Sequence, residues 1–181
     1  MSNEPATSDR HATLIRDWMT LFNVHDPEDA TRLATEIGAA SYVEHAIAPF
    51  GRTEPGLVNG PSHLVEAAAW LLAQFPDLEM SVEAIAADGD LVAALVRSTG
   101  TNLGRLNGVM PPTGRRFDAR QSHWFRIRDG QIAEHWATRD DLRAMIDLGV
   151  VTMPGGRPDS AGPNHMPGEP GGQPSSGTGP R

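Results

Sequence analysis

The 181-residue chain contains no cysteine. This absence excludes disulfide bonds, zinc sites with cysteine ligands and a cysteine nucleophile. Positive charge is also scarce, because 15 lysine and arginine residues stand against 23 aspartate and glutamate residues and the formal net charge is −8. Nucleic-acid-binding proteins usually carry a basic patch, and anionic membranes attract basic segments. We therefore expect neither a nucleic acid nor a membrane as a partner.

Long apolar runs are absent as well. No stretch approaches the roughly 20 apolar residues that a membrane-spanning helix needs. The segment Met1–Arg10 is polar and acidic and has no apolar core of a secretory signal. These features predict a cytoplasmic protein.

The length is sufficient for one domain with a hydrophobic core. The last part of the chain differs in composition, since more than half of the residues from Pro154 to Arg181 are glycine or proline. Such a segment buries too little apolar surface to offset its ordering entropy. We predict one folded domain over residues 8–150 and a disordered tail over residues 151–181.

Helix signals come first along the chain. Ser8 is a possible cap of a first helix, Asp26 caps a second helix that Gly38 can end, and a third begins near Pro61 and ends before Pro76. Apolar residues then alternate with a period of two. The predicted strands are 41–45, a segment from Leu78 to the Asp88-Gly89 turn, 91–101, 117–127 and 132–138. A short helix with Asp140 and Asp141 in its first turn follows and stops at Gly149. Helices followed by antiparallel strands predict an α+β fold in which helices cover one face of a curved antiparallel sheet.

The last predicted hairpin carries two histidines, and its register is ambiguous. A two-residue Asp129-Gly130 turn pairs His123 with Trp136, whereas a three-residue loop with a bulge pairs His123 with His135. We favour the bulged register. It puts small and polar residues on one face, which would leave a cavity under the helices: Ala119, Gln121, His123, Phe125, Ala133, His135 and Ala137. The other face carries Trp124, Trp136 and Ile132 among charges, which is typical of a subunit interface. It remains open whether the histidines are ordinary half-buried residues with backbone partners.

Several short motifs occur together in one order. They are Tyr42-Val43-Glu44-His45, Phe75-Pro76-Asp77-Leu78, Gly100-Thr101, Gly108 with Pro111–Arg115, and Phe125-Arg126 through Asp129-Gly130 to Glu134-His135-Trp136. In these motifs the chain resembles the SnoaL-like polyketide cyclases, or ester cyclases, of the nuclear-transport-factor-2-like superfamily. The resemblance covers nearly all of the predicted domain.

The resemblance implies a cone of helices on a curved sheet that encloses a deep pocket. It also implies a homodimer or homotetramer built through the outer sheet face with Trp124 and Trp136. Cyclases of this family close a ring of an aromatic polyketide by an intramolecular aldol step without cofactor or metal. The expected ligand is therefore a small hydrophobic or aromatic molecule, and no cofactor or metal is expected.

The family hairpin reads His-Trp-Asp, and its aspartate is the general acid/base, but here the residues are His135-Trp136-Ala137. We predict that His123 and His135 replace the aspartate as the catalytic pair. The residues predicted to bind substrate are Tyr42, His45, Gln121, Phe125 and Ala137. A zinc site formed by His45, His123 and His135 is disfavoured, because the family works without metal. Some relatives without the aspartate are cofactor-independent hydroxylases, so a related ring modification is an alternative reaction. A binding protein without catalysis is the alternative function.

Overall fold

The computed structural model describes residues 7–46, 57–58 and 60–154. The helices are α1 (Thr7–Leu21), α2 (Pro27–Ile37), α3 (Gly60–Gln74) and α4 (Asp141–Asp147). The strands are β1 (Gly38–Glu44), β2 (Leu57–Val58), β3 (Glu79–Asp88), β4 (Leu91–Thr101), β5 (Arg116–Arg128) and β6 (Gln131–Arg139). The α+β class is confirmed. The predicted tail from residue 155 onward and most of the segment 46–60 lie outside the described residues.

Local signals fix the ends of the second helix. The Asp26 carboxylate accepts hydrogen bonds from the backbone N–H groups of Glu28 and Asp29 at 2.9 and 3.0 Å. These bonds satisfy two of the helix's unpaired donors. Gly38 follows the last turn and donates its N–H to the carbonyl of Ala34. The predicted cap and stop of this helix are therefore confirmed, whereas the first helix begins at Thr7 and includes Ser8.

The six strands form one sheet in the order β2-β1-β6-β5-β4-β3. The strands from β3 to β6 form antiparallel hairpin pairs, but β1 pairs with β6 in parallel. The sheet is thus mixed and differs in this one pair from the all-antiparallel expectation. A parallel pair needs a long connection, and here the connection is the whole chain between the first and last strands. This pairing places the end of β1 beside the middle of β6.

The β5–β6 hairpin has the predicted two-residue register at its tip and a third register, not predicted, beyond it. Its tip is the two-residue Asp129-Gly130 turn, where φ is 51° and 77°, as in a type I′ turn. The extra residue Ala133 then shifts the pairing by one, so that His123 lies opposite Ala137 instead of Trp136, its partner in the two-residue register. The predicted three-residue loop and the direct pairing of the two histidines are therefore wrong. The bulge has moved from the turn into the strand.

The bulge also changes which side chains reach the core. Ile132 is fully buried and lies opposite Ile127, and the next residue, Ala133, is buried too. The prediction that Ile132 lies on the outer face is therefore wrong. Beyond the bulge the alternation resumes, and His135 falls on the same inner face as His123.

The core lies between the helices and the inner face of the sheet. α1 contacts β3, α3 contacts β1, and α4 contacts β5. Several of its largest fully buried side chains come from different elements: Ile15, Leu21, Tyr42, Leu64, Phe75 and Phe125. No helix among the described residues is long and apolar enough to cross a membrane.

Candidate functional site

The site begins with an acidic side chain that the parallel strand pair brings to the histidines. Glu44 ends β1 and lies in register with His135 of β6. Both oxygens of the Glu44 carboxylate lie 2.9 Å from Nδ1 of His135. The two side chains are 13% and 4% exposed, so that solvent screens this pair weakly.

A chain of hydrogen bonds continues from His135 along the inner face. Nε2 of His135 lies 2.9 Å from Nδ1 of His123, and Nε2 of His123 lies 2.9 Å from Oε1 of Gln121. The imidazole rings are nearly parallel, with their centroids 5.2 Å apart. The chain therefore connects the buried carboxylate to a residue of the cavity wall.

Two further donors hold the Glu44 carboxylate. The Tyr42 hydroxyl donates to Oε2 at 2.7 Å, and the backbone N–H of Ala46 donates to Oε1 at 2.8 Å. Burial opposes ionisation, but His135 and these two donors more than offset it and lower the pKa of Glu44. Burial, followed by the charge of Glu44, raises the pKa of the Tyr42 hydroxyl well above its ordinary value. Glu44 is thus an anion and Tyr42 a neutral donor.

The protonation of the histidine pair follows from its partners. Burial is the main reason why the pKa of His123 lies well below its ordinary value, and the charges of His135 and Arg139 add to this effect. The hydrogen-bond chain has three contacts, namely Glu44–His135, His135–His123 and His123–Gln121. When the Gln121 oxygen faces His123, each contact needs one N–H proton, so that the two imidazoles together carry three. When the pair holds this third proton, its one positive charge lies beside the Glu44 carboxylate. A positive charge on the pair is therefore balanced inside the protein.

Trp18 of α1 covers the two imidazoles. Its ring centroid lies 5.4 Å from that of His123 and 4.7 Å from that of His135, and its edge contacts Phe125 at 5.0 Å. Trp18 and Phe125 are 2% and 0% exposed. The aromatic rings fix the imidazole planes and exclude water from one side of the pair.

The histidines lie in the wall of a cavity of about 330 Å³. This volume is in the range of small-molecule sites. Much of the wall is apolar and comes from both layers of the fold: Phe22, Leu71, Phe75, Leu78, Met80 and Phe117. Polar groups other than the histidine chain are contributed by His63, Glu66, Arg139, Asp140 and Asp141. The cavity can hold a largely apolar molecule with a few oxygens.

Three of the predicted site residues, Gln121, His123 and His135, line the cavity together. Phe125 is buried beside the imidazoles, and Ala137 lies opposite His123 on the same face. Neither is part of the lining of the cavity. Their roles in binding remain predictions.

The other two predicted residues, Tyr42 in β1 and His45 directly after it, are not part of the cavity lining. Tyr42 is fully buried and contacts the site through Glu44. His45 stacks on Trp136 with ring centroids 4.5 Å apart and pairs with Glu134 at 3.0 Å. Trp136 and Glu134 alternate with His135, so that His45 faces the opposite side of the sheet. The three imidazoles of the disfavoured zinc site do not converge.

Sequence reasoning missed four residues of the site, namely Glu44, Trp18, Arg139 and His63. A signal for Glu44 was present, because alternation in β1 puts it on the same face as Tyr42. Its partner could not be read locally, since His135 is 91 residues away. His63, near the start of α3, is half-buried in the cavity wall.

Comparisons with known proteins identify the family. The family model described as SnoaL-like polyketide cyclase matches residues 12–148. The chain belongs to the SnoaL-like polyketide cyclase family. This confirms the resemblance found in the sequence and the leaning toward a cyclase-like enzyme.

Curated relatives of this SnoaL-like chain are ester cyclases of Streptomyces. It is 38% identical over 98 residues to nogalonic acid methyl ester cyclase of Streptomyces nogalater, a match that covers 53% of this chain and 72% of the relative. It is 37% identical over 94 residues to aklanonic acid methyl ester cyclase DnrD of Streptomyces peucetius, which covers 51% of this chain and 63% of the relative.

Solved structures agree with the fold of this SnoaL-like protein. IdmH of Streptomyces antibioticus is 30% identical with a TM-score of 0.63, and the match covers 76% of this chain and 97% of that chain. A SnoaL-like protein from Jannaschia sp. CCS1 has a TM-score of 0.67 at 21% identity and covers 84% of this chain and 100% of that chain. The second likeness concerns the fold alone.

Proposed function

We propose that this protein is a cofactor-independent enzyme that closes a ring in an aromatic polyketide ester, or in a similar small hydrophobic molecule, by an intramolecular aldol step. The observation that carries this proposal is the buried chain Glu44–His135–His123 at the wall of an apolar cavity. The named activities of the ester cyclases that the chain resembles support the substrate class.

His123 acts as the base in this proposal. The reactive form is the pair that has released its third proton, from Nε2 of His123, to solvent. The substrate takes the place of Gln121 beside this nitrogen, and the neutral imidazole presents its lone pair to an acidic carbon-bound proton. The remaining hydrogen on Nδ1 of His123 bonds to Nε2 of His135, whose Nδ1–H bonds to Glu44. When His123 takes the proton, the new positive charge lies on a pair that Glu44 already balances.

The same proton completes the reaction. The electron pair of the broken C–H bond forms an enolate, whose carbon attacks a ketone of the same molecule and forms the new C–C bond. The alkoxide produced by this attack takes the proton back from His123. The base therefore returns to its starting state without an added cofactor.

Ligand binding without turnover is the second candidate function. It is favoured by Ala137, which cannot transfer a proton where the family pattern has an aspartate. Hydroxylation is a further possibility for a chain without the aspartate. One solved structure of this fold, AclR of Streptomyces galilaeus, is described as a candidate hydroxylase. At 24% identity this likeness supports the fold only.

The deciding experiment uses an aromatic polyketide methyl ester in which the ring to be closed is still open. We expect the wild-type protein to convert it to the cyclised product, as detected by chromatography and mass spectrometry. His123→Asn should lower turnover by about 10²–10⁴-fold while product binding is retained. His25→Asn, an exposed histidine at the start of α2, is the control and should turn over normally. Binding of the ester without turnover by the wild type would establish the binding function instead.

The proposal extends to a homodimer through the outer sheet face and to a cytoplasmic location. Trp124 is 43% exposed and lies opposite Trp136, and Leu95 of β4 is 40% exposed. Ion pairs such as Arg120–Glu83 flank these apolar side chains. Sedimentation should show a dimer that Trp124→Glu dissociates, whereas Leu142→Glu on α4, another exposed apolar position, should not. A monomeric wild type would refute the dimer.

A further inference from the structure

The inner face of β6 carries a positive charge close to the position of the missing aspartate. Arg139 ends β6, two residues after Ala137, and lies opposite Gln121 on β5. Residues two apart on a strand share a face at about 6.6 Å. The Arg139 side chain is only 10% exposed and forms part of the cavity wall. The cavity therefore has a cation beside the place where the family hairpin has an anion.

Glu44, Glu66, Asp140 and Asp141 line the same cavity as Arg139 and differ in their contacts. Nε of Arg139 lies 3.5 Å from Oδ1 of Asp141, whose side chain is 39% exposed. Asp140 caps α4 by accepting the N–H of Arg143 at 3.0 Å. Glu44 is held by His135 and Tyr42, and Glu66 is exposed on α3. A guanidinium remains charged at all ordinary pH values and has five N–H donors, so it can contact a carboxylate and a ligand oxygen together.

We propose that Arg139 binds an anionic oxygen of the substrate, an enolate or a phenolate, at the part of the cavity wall that it shares with Gln121 and His123. The inference rests on the proposed function. When His123 removes the carbon-bound proton, the C–H electron pair moves into the enolate and the negative charge develops on its oxygen. Arg139 donates an N–H to that oxygen, and its charge is worth more in this poorly hydrated wall than in water.

Ala137 is part of the same arrangement. An aspartate at position 137 would lie on the same face as Arg139, at the next inward position, and would compete with the substrate for the guanidinium. The methyl group of Ala137 leaves this contact to the ligand. The chain thus has an alanine at the position of the family acid and a cation two residues later.

Alizarin, an anthraquinone phenol whose phenolate absorbs at longer wavelength, is a suitable probe because it reports charge stabilisation without turnover. We expect the dye bound to the wild type to ionise at least about one pH unit below the free dye, a tenfold change in its acidity. Arg139→Gln should abolish this difference, and Arg139→Lys should keep part of it. Arg120→Gln removes a 65%-exposed cation from the outer face and should behave as the wild type.

Bound dye that ionises at the same pH in Arg139→Gln and in the wild type would overturn the inference, and so would a wild type that does not bind the dye. The proposed function can fail separately. A wild type that never cyclises the polyketide ester, but loses its effect on the dye in Arg139→Gln, would refute the cyclase and retain an oxyanion site at Arg139.

Discussion

The imidazoles of His123 and His135 share a hydrogen bond of 2.9 Å, although the two residues are not opposite each other across the hairpin. His123 lies opposite Ala137, and His135 lies opposite Phe125. The contact is therefore diagonal. It leaves Nδ1 of His135 directed at Glu44 and Nε2 of His123 directed at Gln121. If the two histidines lay directly opposite each other, their pairing would not by itself direct one imidazole at Glu44 and the other at Gln121.

Removal of the Glu44 charge should weaken the base. In Glu44→Gln the positive charge formed on the histidine pair is no longer balanced, so we expect turnover to fall about 10²-fold. The acid limb of the pH–rate profile should move to lower pH, because His123 becomes easier to deprotonate. Steady-state rates across pH test this.

Glu134→Gln is the matched control for that experiment, because Glu134 pairs with His45 on the other side of the sheet at 3.0 Å. It should change neither the rate nor the profile. An unchanged acid limb in Glu44→Gln would limit Glu44 to a structural role.

The burial of His123 should make the protein less stable in mild acid. Its pKa is lowered in the folded state by burial, then by His135 and Arg139. Below about pH 6.5 the unfolded chain binds a proton that the folded chain does not bind. The free energy of unfolding should therefore fall by about 1 kcal/mol between pH 7.5 and 5.5, and His123→Asn should remove this loss.

Urea denaturation at the two pH values measures the effect. This window lies above the range in which Glu44 loses its contribution, because the pKa of Glu44 is lowered from 4.5 and that contribution disappears only in stronger acid. His25→Asn, at an exposed position, should retain the full pH dependence. Equal pH dependence in the wild type and His123→Asn would contradict the burial of a neutral imidazole.

Restoration of the family acid should alter the site in a defined way. Ala137→Asp places a carboxylate opposite His123 and on the face of Arg139. We expect faster aldol cyclisation of the methyl ester, together with weaker binding of phenolate ligands, because the new carboxylate pairs with Arg139. Thr138→Asp adds the same charge to the outer face and should do neither. Tighter phenolate binding in Ala137→Asp would contradict this account.

Gly104 allows the loop after β4 to pack against the end of α3. A Cβ atom at this position would lie 1.8 Å from the carbonyl oxygen of Ala73. Gly104→Ala should therefore lower the free energy of unfolding by about 3 kcal/mol, because the backbone must move. In the control Gly108→Ala, where φ is 71° and no atom is within 4 Å, the loss should be about 1 kcal/mol from backbone strain. Thermal and urea denaturation distinguish the two values.

Local chemistry made much of the fold predictable. The Asp26 cap and the β4 strand at 91–101 follow from short-range signals, and the structure contains both. The turn predicted at Asp88-Gly89 lies one residue later, at Gly89-Asp90, because Asp88 still pairs with Leu91. The bulge at Ala133 was not predictable, because both turn types suit the same Arg128-Asp129-Gly130 sequence. The pairing of β1 with β6 was not predictable either, since no local pattern selects a distant strand as a parallel partner. Glu44 was missed as a site residue for that reason.

The parallel contact between β1 and β6 has a consequence for how activity arises during folding. β3 to β6 are joined in sequence by hairpins and can form early, whereas Glu44 and His135 are separated by 91 residues and their contact requires closure of a long loop. A chain that has formed only its hairpins already holds both imidazoles but has no anion to balance their charge. In the proposed mechanism the charge on the base is balanced only after β1 has paired with β6, so we expect turnover to report completion of the domain.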